Sequence, residues 1–201
     1  MATAFILNAE IDLQAGFMLY IMRHGKTDWN AAYRLQGQTD TDLNAEGVRM
    51  AQEAAREYKG IHFDVCYCSP LKRARETARL VLDGRDIPII IDERLKEMAF
   101  GIYEGFANTY HFPDCPMYAF FKHPEVYKAP LGAESMEELF ARTGEFLEQV
   151  ALPQVEAGKD VLIIGHGAMN SSIVCQVKKR TLAEFWADPI PNCKLQTLIG
   201  N

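Results

Sequence analysis

Arg23-His24-Gly25 stands directly behind the apolar run Phe17–Met22, where a histidine beside an arginine has little reason to be present for packing. A neutral imidazole can act as nucleophile or proton carrier, and a guanidinium beside it holds an anion through planar, charge-assisted hydrogen bonds. His166 lies between Gly165 and Gly167 after a second apolar run, Val161–Ile164. Flanking glycines let the backbone approach a ligand closely. Arg73 falls near the amino end of a helical pattern, where the positive end of the helix dipole repels it unless an anion sits there too. Taken singly, each residue is also compatible with a hydrogen-bonded loop histidine or a solvated cation, and Lys72 and Arg75 are read as such a solvated face. Together, two histidines and two arginines delivered by two strand ends and one helix start describe a phosphate pocket. The His and Cys spacings offer no metal-ligand set, so no metal and no cofactor are expected.

The elements that must position these residues follow from apolar patterning. Phe17–Met22, Phe63–Cys68 and Val161–Ile164 are continuous apolar runs of strand length, each ending in a polar turn that opens into a helical pattern. Ile87–Ile91 and Leu195–Ile199 read as two further strands, the first with Pro88 near its start, as an edge tolerates. Helical spacing appears in Val48, Ala51, Ala55 and Tyr58 behind a cap at Asn44, and in Leu71, Ala74, Ala78 and Leu82 behind Ser69-Pro70. Ser135 with Glu138 makes a capping box ahead of Leu139, Thr143, Phe146 and Val150, and Thr181 with Glu184 repeats it. Alternating strands and helices predict an α/β fold with a largely parallel sheet, whose ligands bind at the carboxyl ends of the strands. Residues 1–201 are read as one domain. The stretch 106–131, broken by Pro113, Pro116, Pro124 and Pro130, reads as a lid or specificity excursion with one short helix around Met117–Lys122.

Composition bounds the function. With 48% hydrophobic and 24% charged residues, the chain is an ordinary globular one rather than a disordered or membrane protein. Lys and Arg number 21 against 27 Asp and Glu, a formal charge of −6, so nucleic acid is not an expected partner and an anionic ligand needs a local cluster of cations. Five cysteines without a regular framework point to reduced thiols in a cytoplasmic protein, with Cys66 and Cys68 buried on one strand face. Glu10 and Asp12 argue against a signal peptide, and Phe17–Met22 is too short to span a bilayer.

The ordered series resembles the histidine phosphatase superfamily, in its phosphoglycerate mutase-like branch. The resemblance runs from about Leu19 to Ile199 through Arg23-His24-Gly25, Asn30, Arg34-Leu-Gln36-Gly37, Leu43-Asn-Ala-Glu-Gly47, Ser69-Pro-Leu-x-Arg73-Ala-x-x-Thr77, Glu97-x-x-Phe-Gly101-x-x-Glu104-Gly105, Gly132-x-Glu134-Ser135, Gly165-His166-Gly167 and Pro191-Asn192-Cys193. It implies a three-layer α/β/α fold. It also implies that His24 attacks phosphorus and becomes a phosphohistidine, with its other ring nitrogen donating to a backbone carbonyl. Arg23, Arg73 and His166 would hold the phosphoryl oxygens, and Thr27, Asn30, Gln36, Gly37 and Gly167 would contact phosphate or substrate. Glu97 takes the place of the proton donor, a partly buried carboxyl that keeps its proton until the ester bond breaks. Glu104 is a rival acid, read as a structural hydrogen-bonding residue. Asp28 and Trp29 are read as structural, and His62, His111 and His123 as surface or loop residues. The residues before Leu19 form a long lead for this family, an added element or a docking arm.

The same pocket could return the phosphoryl group to a second hydroxyl, as a mutase does, or give it to water. Where the cofactor-dependent mutases carry a tyrosine and a lysine beyond the catalytic glutamate, this chain has Phe100 and Asn108, and 106–131 offers only Lys122, His123 and Lys128 in place of paired arginines. Each lost charge-assisted contact costs roughly 1.5–3 kcal/mol, so a metal-independent phosphomonoesterase acting on a small phosphorylated metabolite is the favoured expectation and a phosphoglycerate mutase the alternative. A non-catalytic phosphate-binding module is a third reading, disfavoured because all five core positions are present. The aromatic residues of the excursion suit either a wall that stacks on a leaving group or a core beneath a loop.

Overall fold

The computed structural model describes residues 17–200. The lead suggested for residues 1–16 lies outside them. In chain order the elements are β1 (Leu19–Arg23), α1 (Asp28–Ala31), α2 (Ala45–Glu57), β2 (Val65–Cys68), α3 (Lys72–Val81), β3 (Ile89–Ile91), α4 (Pro116–Lys122), α5 (Met136–Phe146), α6 (Leu152–Glu156), β4 (Val161–Gly165), α7 (Gly167–Val177) and β5 (Leu195–Ile199). A π-helical turn at Leu147–Ala151 joins α5 to α6, ahead of Pro153, which cannot donate into a helix.

The sheet runs β3-β2-β4-β1-β5, parallel except for β5, which is antiparallel to β1. The three central strands are buried on both faces, as continuous apolar runs require. Alternate residues divide between two cores. Leu19, Ile21, Tyr67, Val161 and Ile163 meet α5 and α7 through Phe146, Met169 and Ile173. Tyr20, Met22, Cys66, Cys68, Leu162 and Ile164 meet α2 and α3 through Ala51, Ala54, Ala74 and Ala78. The result is a three-layer α/β/α sandwich, with each fully buried Leu or Ile contributing about 1.5–3 kcal/mol. Cys66 and Cys68 do share a face, as alternation predicts. Along α2 it is Ala54, with Ala51, that faces the core, while Ala55 is only half-buried.

Local caps form where their partners are close in sequence. Asn44 accepts from the Gly47 amide, and Ser135 and Glu138 complete a reciprocal capping box. Gly47 also lets α2 approach the loop after β1, since a Cβ there would lie 2.0 Å from the Lys26 carbonyl oxygen. The expected cap of α3 is replaced. The helix begins at Lys72, whose amide donates to the Asp40 carboxylate at 2.7 Å, while Ser69 Oγ keeps only the Leu71 amide ahead of the helix, at 3.3 Å, and meets His166 Nε2 at 2.7 Å. An anion therefore does sit at this helix end, supplied by a distant loop.

Within 106–131 the short helix is α4, preceded and followed by 3-10 turns. Met117 and Phe120 are fully buried in a third core with Met98, Phe100, Leu139 and Phe185, whereas Phe106 and Phe112 are exposed.

Candidate active site

Parallel register sets the site. Arg23 pairs with Gly165, and the His24 amide donates to the Gly165 carbonyl at 2.9 Å, so the residues after β1 and β4 emerge side by side. The His24 and His166 ring centroids are 5.1 Å apart. From the other side, Arg73 and Thr77 share the buried face of α3. Thr77 Oγ1 donates to the Arg73 carbonyl at 2.6 Å and accepts the Gly25 amide at 2.9 Å, which fixes the helix against the turn after β1. The turn before β5 closes the third side, where Asn192 Nδ2 donates to the His24 carbonyl at 2.6 Å and the Cys193 amide to the Arg23 carbonyl at 2.9 Å.

The proton on His24 can be placed from geometry. Nδ1 lies 2.6 Å from the Gly25 carbonyl oxygen, which can only accept, so Nδ1 carries hydrogen and Nε2 presents a lone pair. Arg73 Nε donates to that Nε2 at 3.3 Å, while its two terminal nitrogens donate to the carbonyls of Gly37 and Thr39 at 2.8 Å. Burial, then Arg73 and Arg23, hold His24 well below the usual histidine value. Burial, Arg73, His24 and Arg23 do the same to His166. Burial brings Arg73 down to about 10, against the opposing pull of Glu97 and Asp40, and it lowers Arg23 against Glu97. Arg23 Nε and His166 Nδ1 are buried without a partner among the described residues, and the first, on a residue that lines the cavity, suits a pocket built for an anion.

Glu97 stands apart from its expected role as a waiting acid. Its carboxylate accepts four backbone amides: Met98 at 2.9 Å, Gly167 at 2.9 Å, Ala168 at 3.2 Å and Met169 at 3.0 Å. In this conformation the side chain caps the first turn of α7, and a protonated carboxyl would have to give up one of these bonds to place its O–H. The segment around it is pinned by a pair that composition and spacing do not single out. Arg142 binds both Glu134 oxygens, at 2.6 and 3.0 Å, and donates to the carbonyls of Arg94 and Lys96, while Glu134 accepts the Ala99 amide at 3.3 Å.

Arg23, His24, Asn30, Gln36, Gly37, Arg73, Glu97 and Gly167 all line one cavity of about 460 Å³. His166 and Thr27 do not. His166 lies behind His24 with Nε2 hydrogen-bonded to Ser69 Oγ at 2.7 Å. Thr27 caps α1 in a reciprocal box with Asn30 and donates to Gln36 Oε1 at 2.9 Å, which Thr41 also reaches at 2.7 Å. Thr27 thus aims Asn30 and Gln36 from behind. Gly37 has φ +54°, and any Cβ there would strike the Glu104 carboxylate. Glu104 is outside the cavity and accepts from Gln38, Thr39 and Phe100, the structural part expected of it. Asn192, from the Pro191-Asn192-Cys193 motif, also lines the cavity, as do Tyr33 and Trp186, which no local pattern in the chain marked. His62 lies at the amino ends of the strands, the edge opposite the site, beside Asp64.

A nucleophile-ready histidine flanked by two arginines at the carboxyl ends of a parallel sheet defines a phosphoryl-transfer protein of the α/β/α type. Comparison with known proteins gives the family: residues 19–200 match the histidine phosphatase superfamily (branch 1), to which this chain belongs. It is 34% identical over 160 residues to the "Uncharacterized phosphatase PhoE" of Bacillus subtilis, covering 78% of this chain and 75% of that one. It is 31% identical over 188 residues to the 2,3-bisphosphoglycerate-dependent phosphoglycerate mutase of a Methylobacterium strain, covering 90% and 87%. The solved structure of Bacillus stearothermophilus YhfR superposes with a TM-score of 0.81 at 29% identity, covering 90% of each chain. Among the described residues no helix is long and apolar enough to cross a membrane.

Proposed function

We propose that the protein is a metal-independent phosphomonoesterase that works through phosphorylated His24. The observation that carries this reading is the His24 ring itself, with Nδ1–H bound to the Gly25 carbonyl and the Nε2 lone pair left to a 3.3 Å bond from Arg73 Nε, which a phosphoryl oxygen can take over, in a cavity that Arg23 also lines. Nε2 attacks phosphorus in line, the bond to the ester oxygen breaks, and Arg23 and Arg73 take the charge on the phosphoryl oxygens. The Gly167 amide, held by Glu97 in the resting site, is a further donor to phosphate. When a phosphoryl oxygen takes that amide, a Glu97 oxygen is released toward the leaving group, takes up the proton that a monoanionic phosphomonoester brings, and passes it to the departing alkoxide. Glu97 then accepts a proton from the water that attacks the phosphohistidine, the N–P bond breaks, and this proton leaves with the phosphate, which returns Glu97 to its carboxylate after the alcohol has gone. His166 positions His24 by packing against its ring. Two guanidiniums at the phosphate end also make a poor seat for a divalent cation, whose charge they would oppose.

The mutase alternative has sequence similarity behind it, but the lining lacks the paired arginines that would hold a second phosphate. The test is hydrolysis of p-nitrophenyl phosphate with excess chelator, coupled to acid-quench trapping of the phosphoenzyme. Turnover that survives chelation and a phosphohistidine absent from His24→Ala are expected. Dependence on added metal, or phosphoglycerate interconversion faster than hydrolysis, would refute the reading. The free thiols of all five cysteines support a cytoplasmic enzyme.

A further inference from the structure

Beyond the phosphate end, the cavity wall is aromatic. Tyr33, Phe100, Tyr110, Phe120, Phe121 and Trp186 all line it. Phe121 stacks on Trp186 with centroids 5.7 Å apart and planes at 21°, and Tyr110 meets Phe121 edge-on at 5.8 Å. Trp186 Nε1 donates to the Phe120 carbonyl at 2.9 Å, so the polar edge of the indole is already satisfied and the indole enters the wall as an apolar ring stacked with Phe121. Tyr33 holds a left-handed backbone at φ +53°, a conformation that disfavours a bulky residue, yet its ring is 66% exposed at the cavity. The Asn108 amide fixes it there by donating to the Tyr33 carbonyl at 3.0 Å. Two further cations of the lining each hold one partner. Lys26 pairs with Glu46 at 2.9 Å, and Arg34 donates to the Gly105 carbonyl at 3.0 Å.

We infer that this wall selects the leaving group, and that the enzyme takes phosphomonoesters of alcohols carrying an aromatic ring or similar flat apolar group in preference to short phosphorylated acids. The inference rests on the phosphatase reading above. With phosphorus at His24, a ring on the alcohol covers Phe121, Tyr110 and Trp186 and excludes water from them. A carboxylate in the same place loses hydration against those rings, and the two further cations of the lining, Lys26 and Arg34, already share their charge with Glu46 and the Gly105 carbonyl.

The experiment compares kcat/KM for 3-phenylpropyl phosphate, propyl phosphate, phosphoserine and 3-phosphoglycerate. The first two alcohols have nearly equal acidity, so their ratio reports the ring rather than the leaving group. A ratio of about ten or more is expected for the unmodified enzyme, and it falls by about three- to ten-fold in Phe121→Ala and in Tyr33→Asn. Asparagine tolerates the left-handed backbone, so Tyr33→Asn removes the ring without disturbing the turn, and thermal melts check that both variants fold. A ratio near one, a ratio unmoved by either substitution, or faster turnover of phosphoserine or 3-phosphoglycerate than of the phenylpropyl ester overturns the inference while leaving the phosphatase intact. Hydrolysis of none of the four esters, with p-nitrophenyl phosphate also inert, overturns the inference and the phosphatase reading together.

Discussion

Replacing Arg142 by methionine keeps the aliphatic stem and removes the guanidinium that holds the backbone before Glu97 and orients Glu134, which holds the Ala99 amide after it. The loss is four hydrogen bonds, two of them to the Glu134 carboxylate, which is left with the Ala99 amide alone. Side-chain exposure of 19% for Arg142 and 10% for Glu134 places the pair largely out of water. Orphaning a charge in such a pair costs about 3–5 kcal/mol. For a chain of this size that lowers Tm by about 6–20 °C. Adding Glu134→Gln removes the orphaned charge, so the double variant is expected to recover at least about 1 kcal/mol relative to the sum of the singles. Catalysis responds separately. Glu97 loses its register against α7, and a misplacement of about 1 Å lowers kcat by about 100-fold, while KM shifts much less because Arg23 and Arg73 do not touch the pair. Urea denaturation of the two singles and the double, with steady-state kinetics on an alkyl phosphate, measures both effects. A single-variant cost below about 1 kcal/mol, or strictly additive singles, would refute the claim that this ion pair is what holds the Glu97 segment.

Glu97→Gln should lower kcat by about 10²–10⁴ for alkyl esters and far less for p-nitrophenyl phosphate, whose leaving group departs without a proton; equal losses on both would remove Glu97 from the acid role. Folding stability should fall on the acid side. As pH drops below about 6.5, the unfolded chain takes up protons that the buried His24 and His166 exclude, costing up to about 1.4 kcal/mol per pH unit for each until the lower folded values are reached. Above 6.5 that contribution is constant, and His166→Asn should roughly halve the acid slope in denaturation series; an unchanged slope would show that His166 titrates normally. Gly47→Ala drives a Cβ to 2.0 Å from the Lys26 carbonyl oxygen and 2.6 Å from its amide nitrogen, where backbone cannot yield. A loss of about 2–3 kcal/mol by chemical denaturation is expected, and a melting point within error of the parent would contradict the close packing of α2.

Much of the fold is legible along the chain because the signals are local. Three apolar runs become the buried central strands, Asn44 and Ser135 cap the helices they precede, and the edge position of β3 agrees with Pro88. Where a local signal has a distant competitor, the distant partner wins. Ser69 is well placed to cap α3, yet His166 takes its hydroxyl and Asp40 supplies the cap. A helical period cannot separate Ala54 from Ala55, since adjacent positions differ by only about 100° and the direction of the sheet chooses between them. The rings of 106–131 divide in the same way: Phe120 is both core and cavity wall, while Tyr110 and Phe121 face the cavity and Phe112 faces solvent.

The chemistry of the pocket was settled by residue type. His24, Arg23, Arg73 and Glu97 announce phosphoryl transfer because their ionisation and donor geometry suit a phosphate wherever they are brought together. What they do to one another depends on tertiary structure alone. The parallel register of β1 and β4 sets the two histidines ring to ring, and burial beside Arg73 and Arg23 keeps His24 neutral. The first turn of α7 takes hold of the Glu97 carboxylate, and a wall assembled from three separate stretches of chain gives the cavity its aromatic side. Side-chain chemistry is a property of each residue, whereas desolvation, proton placement and shape arise only when distant residues share one low-dielectric space.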